Sequence, residues 1–187
     1  MTRGINFFLG ILLGTIFFIP ILIIALIVRI TSVGPIIFWS SRVGKNNQVF
    51  QMPKFRTMRV DAPPDTATHL LETPEQHLTL FGKFLRKTSL DELPQIWSVI
   101  KGDMALVGPR PALHNQNDLI SLRTEAGIQN LPPGITGWAQ VLGRDKLPVY
   151  EKVKLDEFYL KNRSFFLDLK ILVLTLGAVF KWEQISH

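Results

Sequence analysis

The sequence predicts an α+β protein, mainly helical with a small β-hairpin, an apolar N-terminal helix and further amphipathic helices. Three observations carry this. No charged residue occurs between Arg3 and Arg29. Two apolar β-rich patches flank Gly44-Lys45-Asn46-Asn47, a good turn. Apolar residues then recur at helical spacing in several later segments.

The first element is the N-terminal helix. Gly4 to Val28 is 25 residues, about 38 Å as a helix, enough for a hydrocarbon core of ~30 Å. It is too long for a signal-peptide core, and no small-residue cleavage site comes after it. Read from the residues alone it is a single transmembrane anchor, which Pro20 should kink in its second half. The basic residues Arg29, Arg42 and Lys45 follow closely, so that the rest of the chain can lie on the cytoplasmic side.

Residues 35–58 read as extended, with Ile36-Ile37-Phe38-Trp39 and Val49-Phe50-Gln51-Met52 as the hairpin arms. Residues 61–73 read as a polar loop. Thr73-Pro74-Glu75 reads as a helix start, threonine capping and proline at the first position. The helix after it sets Leu78, Phe81, Phe84 and Leu85 on one side and Lys83, Arg86 and Lys87 elsewhere. Such a helix packs on a core or lies on an anionic membrane surface. Asp91 is placed to cap the next helix, since Pro94 falls in its first turn; Leu93, Ile96, Trp97 and Ile100 form its apolar stripe and Gly102 its stop.

Further on, a polar helix is expected over Asn115 to Ala126 and a rigid loop over Leu131 to Gly137. A helix with a charged face is expected over Tyr150 to Asn162. Leu167 to Phe180 reads as a buried or interfacial helix, because its uncharged part is too short to span. With 187 residues there is room for one domain plus a membrane segment: residues 1–33, then 34–187.

The net charge of +6 asks for an anionic partner, be it nucleic acid, a membrane surface or a phosphorylated substrate. No nucleic-acid-binding motif is present, and the basic residues are spread among apolar segments. Cysteine is absent, which excludes disulfides and thiolate metal sites. His69, His77, His114 and His187 lack ligand spacing, and there is no Walker or dinucleotide-binding fingerprint. The adjacent carboxylates Asp91 and Glu92, beside several arginines and lysines, are the chemical candidates. Taken alone, such a pair is more often ordinary capping.

The motifs Lys54-Phe55-Arg56-Thr57-Met58, Ser89-Leu90-Asp91-Glu92-Leu93-Pro94-Gln95, Lys101-Gly102-Asp103-Met104, Gly108-Pro109-Arg110-Pro111 and Pro133-Gly134-Ile135-Thr136-Gly137 run through the chain in that order. The chain resembles the bacterial sugar transferase family, the small monotopic phosphoglycosyl transferases that begin membrane glycan assembly. The resemblance covers nearly the whole chain. It implies a UDP-sugar donor, a polyprenyl phosphate acceptor, a phospholipid setting at the cytoplasmic face of the bacterial inner membrane, and Mg²⁺. Residues 34–187 become the catalytic domain. Asp91 is implied as nucleophile, Glu92 as its metal-orienting or proton-handling partner, and both as metal ligands.

Substrate contact is implied for Lys54, Arg56, Arg86, Arg110, Thr136, Gln140, Arg144 and Asp156. Many relatives carry arginine where this chain has Pro132, which points to Arg144 as the replacement base. Trp138 reads as half-buried rather than as a stacking platform. The resemblance also implies that the N-terminal helix is re-entrant, bent at a Ser-Pro pair that here is Ile19-Pro20. Nucleic acid is not an expected partner, and a dimer is one option for the assembly. Rival readings are a non-catalytic membrane scaffold, a nucleic-acid binder and a one-step transferase.

Overall fold

The computed structural model describes residues 1–62, 74–143 and 147–180. Among these residues the protein is mainly helical, with two two-stranded sheets. The apolar N-terminus is two helices rather than one: α1 (Arg3–Ile16) and α2 (Phe18–Thr31), bent by 61°. The break falls at Phe17, earlier than the kink expected from Pro20. Pro20 then sits third in α2, in the first turn, where no backbone N–H is needed. Each arm is about 21 Å long, short of a hydrocarbon core of ~30 Å. No single described helix is long and apolar enough to cross a membrane; the bent pair passes only together, as a broken span or a re-entrant loop.

Both arms rest on the same body. Asn6 and Gly10 of α1 are buried, as are Ile24 and Val28 of α2. The opposite faces carry exposed apolar side chains, among them Phe8, Leu12, Ile19, Leu26 and Ile30.

The hairpin forms as its pattern predicts, with β1 (Ile37–Val43) antiparallel to β2 (Val49–Phe55) and Ile37 opposite Phe55. Asn46 and Asn47 take positive φ in the turn, a region asparagine tolerates. Beyond residue 62 the expected loop and the Thr73 cap lie outside the described residues. Pro74–His77 is a single 3-10 turn, and Leu78 bridges to Met58. The α-helix proper, α3 (Leu80–Thr88), starts later and is capped by Thr79, whose Oγ1 accepts from Gly82 N at 2.9 Å.

Asp91 does not cap a helix. Ser89, in the left-handed region, turns the chain out of α3 into a 3-10 segment, Leu90–Gln95, and Asp91 lies inside it. Pro94 lies inside that segment, and the α-helix α4 (Ile96–Lys101) follows it directly. Gly102 ends α4 at φ +105 as expected. Trp97, assigned to the apolar stripe, is instead 57% exposed, while Ile96 and Val99 are buried.

Chain order then gives β3 (Ala105–Val107), α5 (Asn117–Glu125), β4 (Gly134–Thr136), α6 (Trp138–Leu142), α7 (Val149–Asn162) and α8 (Phe165–Phe180). The expected Leu131–Gly137 loop thus contains a strand, pairing parallel with β3 so that Ala105 faces Gly134 and Val107 faces Thr136. The core beneath is Met52, Val99, Met104, Leu106, Val107, Leu131, Tyr159 and Ile171. A second cluster joins Ile24 and Val28 of α2 to Phe55 and Leu85.

Glycine makes the β3–β4 junction possible. A Cβ on Gly134 would collide with Gly108 N, and one on Gly108 would sit 2.5 Å from Pro132 O. Gly134→Ala should therefore lower stability by at least about 1–3 kcal/mol, read as a lower midpoint of thermal unfolding. Gly4→Ala, with nothing within 4 Å of the added carbon, should not.

Candidate active site

Four elements converge on the Asp91–Glu92 pair. The 3-10 segment presents both carboxylates, and Glu92 N donates to Ser89 O at 3.2 Å to close its first turn. Ser89 holds φ +57 without being glycine, at a cost of roughly 1–2 kcal/mol. From β2, Lys54 Nζ donates to Glu92 Oε1 at 2.7 Å and stands 3.9 Å from Asp91 Oδ2. From the loop after β3, Arg110 Nη2 donates to the same Glu92 oxygen at 3.0 Å. From α3, Arg86 is oriented by its Nε bond to Thr57 Oγ1 at 2.9 Å and lies close enough to feel both carboxylates.

The two acids are thereby made different. Asp91 is 6% exposed, and burial raises its pKa; Lys54 leads the charges that pull the other way. Burial also opposes ionisation of Glu92, but Arg110 and Lys54, which both charge-pair and hydrogen-bond with it, outweigh that and hold it well below the usual carboxylate range. Glu92 is a fixed anion tying two cations together. Asp91 is a more basic carboxylate with a looser partner. Burial also draws the Arg86 guanidinium below its ordinary value, with Asp91 and Glu92 opposing.

The Arg110 loop is pinned through its carbonyls, because its flanking prolines offer no N–H. Gly134 N donates to Pro109 O at 2.9 Å, Arg123 Nη1 to Arg110 O at 2.8 Å, and Arg42 Nη1 to Pro111 O at 3.3 Å. Arg123 is held in turn by buried Asp156, whose Oδ2 accepts from Nη2 at 2.6 Å and Nε at 3.1 Å. Burial raises the Asp156 pKa and Arg123 opposes it.

Among the residues named from the sequence, Asp91, Glu92, Lys54, Arg86 and Arg110 come together. The others do not join them. Arg56 Nε donates to Pro35 O at 2.8 Å. Thr136 Oγ1 shares a 2.7 Å bond with Thr175 of α8. Gln140 Nε2 donates to Ile135 O at 2.9 Å, and Asp156 works through Arg123. Arg144 lies outside the described residues. Trp138 is half-buried and stacks on Phe158, with centroids 5.8 Å apart. Arg123 escaped the sequence reading: one arginine on a polar helix has no local signal, and its partner lies 33 residues away.

The pair has only hard oxygen donors. Among the described residues no group of three or more His, Cys, Asp or Glu side chains could hold a metal ion. Chemically, the cluster can bind an anionic oxygen group against three cations and present a buried carboxylate to it.

Comparison with known proteins matches residues 1–182 to the family described as bacterial sugar transferase. The chain is 44% identical over 163 residues to the uncharacterized sugar transferase EpsL of Bacillus subtilis (strain 168), covering 86% of this chain and 78% of that protein. It is 41% identical over 157 residues to the galactosyl transferase CpsE of Streptococcus agalactiae serotype III (strain NEM316), covering 78% of this chain and 35% of that protein. It is 38% identical over 164 residues to the UDP-glucose:undecaprenyl-phosphate glucose-1-phosphate transferase of Escherichia coli (strain K12), covering 84% and 35% respectively. The chain thus spans about a third of the length of the latter two.

The opposed environments predict opposite stability effects. Glu92, with its folded pKa depressed, stabilises the fold above the unfolded carboxylate value of ~4.3, and that contribution fades as pH falls below it. Asp91, with its folded pKa raised, favours the fold most when protonated and costs stability once pH rises through its folded value. At neutral pH Glu92→Gln should lose about 1–3 kcal/mol, a deficit that shrinks below pH ~4. Asp91→Asn should unfold at the same temperature as wild type or higher. Thermal melts from acid to neutral pH read both.

Asp156→Asn should lower turnover by about tenfold or more by loosening Arg110, while Lys54 and Glu92 keep their contact. Steady-state kinetics and a melting curve of the variant would separate this from simple loss of fold.

Proposed function

The chain belongs to the bacterial sugar transferase family, and from that premise we propose that it moves a sugar-1-phosphate from a UDP-sugar to polyprenyl phosphate, of the undecaprenyl type, releasing UMP. The observation that carries the reading is the pair of buried Asp91 and half-buried Glu92 ringed by Lys54, Arg86 and Arg110. Both substrates are phosphate anions, and a site built to join them needs surplus positive charge around one carboxylate nucleophile. Curated relatives whose names state a UDP-glucose donor and an undecaprenyl-phosphate acceptor support the substrate classes.

Asp91 is the nucleophile. Its raised pKa marks a carboxylate that bonds readily to an electrophile, whereas Glu92 is engaged by two cations. One Asp91 oxygen attacks the sugar-bearing β-phosphorus. The bond from that phosphorus to the bridging oxygen breaks, and UMP leaves with the electron pair. A phosphate oxygen of the polyprenyl acceptor then attacks the same phosphorus, the aspartyl–phosphorus bond breaks, and Asp91 is freed as carboxylate. Lys54 and Arg110 sit where the diphosphate charge gathers, and Arg86 offers a further cation on the Asp91 side. Splitting the transfer lets a soluble and a lipid-borne substrate use one site in turn.

Mg²⁺ suits this donor set, being a hard ion commonly held by one or two carboxylates plus substrate phosphates. Asp91 and Glu92 would hold it, and bound there it would neutralise diphosphate charge.

The bent pair α1–α2 is read as re-entrant at the cytoplasmic face of the bacterial inner membrane. In support, neither arm reaches across a bilayer, both arms rest on the same body, and their outer faces are apolar. Phe165, Phe166 and Leu169 of α8 are exposed apolar side chains as well.

The test is UMP release from a panel of UDP-sugars with Mg²⁺, with and without undecaprenyl phosphate, in wild type and Asp91→Asn. Acceptor-dependent release that Asp91→Asn abolishes is expected. A single equivalent of UMP should appear without acceptor, falling away in acid at a pH above the ordinary carboxylate value of ~3.9. Unchanged turnover in Asp91→Asn would remove the covalent step, and no release from any donor would leave the scaffold reading.

A further inference from the structure

The apolar helix α1 is joined to the catalytic elements more closely than an anchor requires. Its outer face is apolar, yet its inner face holds Asn6, 4% exposed. Asn6 Oδ1 accepts from Leu106 N at 2.8 Å, and Asn6 Nδ2 donates to Thr2 O at 2.9 Å. Leu106 is the middle residue of β3, and β3 runs directly into the Arg110 loop. A buried asparagine satisfied by another element's backbone fixes the relative height of the two.

One turn on, Gly10 lets α1 approach α4. A Cβ there would lie 3.0 Å from Ile100 Cγ1 and 3.5 Å from Val99 Cγ1. Gly14 continues the contact towards Ile96, at 3.8 Å. Arg3 closes the other end, donating from Nη1 to Val99 O at 2.5 Å and from Nη2 to Ile100 O at 2.6 Å. These carbonyls belong to the last turn of α4, where a cation suits the helix dipole. The start of α4 is continuous with the 3-10 segment carrying Asp91 and Glu92. One helix therefore grips both the segment that presents the carboxylates and the strand that leads to Arg110.

We propose that α1 is a positioning element of the transfer reaction, with Asn6 and Gly10 setting the Asp91–Glu92 segment and the Arg110 loop in register with each other. This rests on the proposed transferase function. The contacts explain why an otherwise apolar helix keeps a buried amide and a glycine on one face: a plain anchor needs neither, and mid-helix glycine costs ~1 kcal/mol against alanine. A misplacement near 1 Å can cost about a hundredfold in rate, so small shifts of α1 are enough to be felt.

The test uses the full chain in lipid nanodiscs and vesicles, with Gly10→Ala, Gly10→Val, Asn6→Leu and the control Gly4→Ala. Four quantities are read: kcat and donor KM for UMP release, partition onto vesicles, and amide hydrogen exchange at residues 90–95 and 105–110. The proposal expects kcat to fall by about tenfold or more in Gly10→Val and Asn6→Leu, less in Gly10→Ala, with donor KM within about twofold. Partition should be unchanged, and exchange faster in both windows though neither is mutated. Gly4→Ala should match wild type throughout.

Lost partition with unchanged turnover per bound molecule would overturn the proposal and leave α1 an anchor. Wild-type exchange at residues 90–95 in Gly10→Val and Asn6→Leu would overturn it as well. Should the wild type itself release no UMP from any donor, the proposed function fails on its own. The exchange pattern then still decides whether α1 sets the Asp91 segment.

Discussion

A carboxylate removed from water must be given its counter-charges by the fold, and the rest of this structure depends on how Glu92 receives them. Lys54 and Arg110 bond to one of its oxygens from two separate elements. Each cation arrives on a long side chain, so the geometry holds only if β2, the 3-10 segment and the loop after β3 keep fixed relative positions. Breaking one member of such a cluster leaves the others buried without compensation. Glu92 is thus the pin of the site. Asp91 borrows its surroundings without being consumed by them, with Lys54 at 3.9 Å rather than in a short bond.

That requirement accounts for features that otherwise look unrelated. Gly108 and Gly134 interlock because only backbones without side chains let β3 and β4 meet closely enough for Gly134 N to reach Pro109 O. Arg42 and Arg123 each donate to a carbonyl, fixing one residue of the proline-flanked loop. Asp156 is buried because its role is to aim Arg123. The left-handed Ser89 stores strain beside Asp91, where a sharp reversal out of α3 sets Arg86 close to both carboxylates. Strain kept at such a point persists only when its surroundings over-determine it, and here α3, β2 and α4 all pack on the segment.

What could be read from the sequence divides along physical lines. Local, periodic signals were legible: the hairpin from alternating apolar patches around Gly44-Lys45-Asn46-Asn47, the helix stop from Gly102, and α7 and α8 from their composition. Asp91, Glu92, Lys54, Arg86 and Arg110 were legible through motif resemblance, and the structure brings all five together. Signals that depend on distant partners were not legible. Three-residue strands such as Ala105–Val107 and Gly134–Thr136 have no periodicity to detect, and they pair only because the chain returns after 26 intervening residues. Thr136, Gln140 and Asp156 lie in or beside motif stretches, yet Thr136 Oγ1, Gln140 Nε2 and Asp156 Oδ2 are bonded within the scaffold. Membership in a motif does not separate a residue that touches a ligand from one that aims another. The capping expectation for Asp91 fails because the left-handed Ser89 starts the 3-10 segment at Leu90, one residue before Asp91, and nothing in the local sequence announces that turn.

The same distinction changes how the N-terminus is understood. Composition alone reads residues 1–33 as a separate apolar segment, easily imagined as detachable from the rest of the chain. Packing argues against that separation. Phe55 adjoins Lys54 and Leu85 adjoins Arg86, and both apolar neighbours are buried against Ile24 and Val28 of α2. On the other arm, α1 lies along α4 and bonds to β3. The elements bearing Lys54 and Arg86 therefore rest on one arm, and those leading to Asp91, Glu92 and Arg110 on the other. The bend at Phe17 becomes a dimension of the charged cluster, because altering it would move one set of charges against the other. The charged cluster is therefore tied to the apolar helix pair through both of its arms.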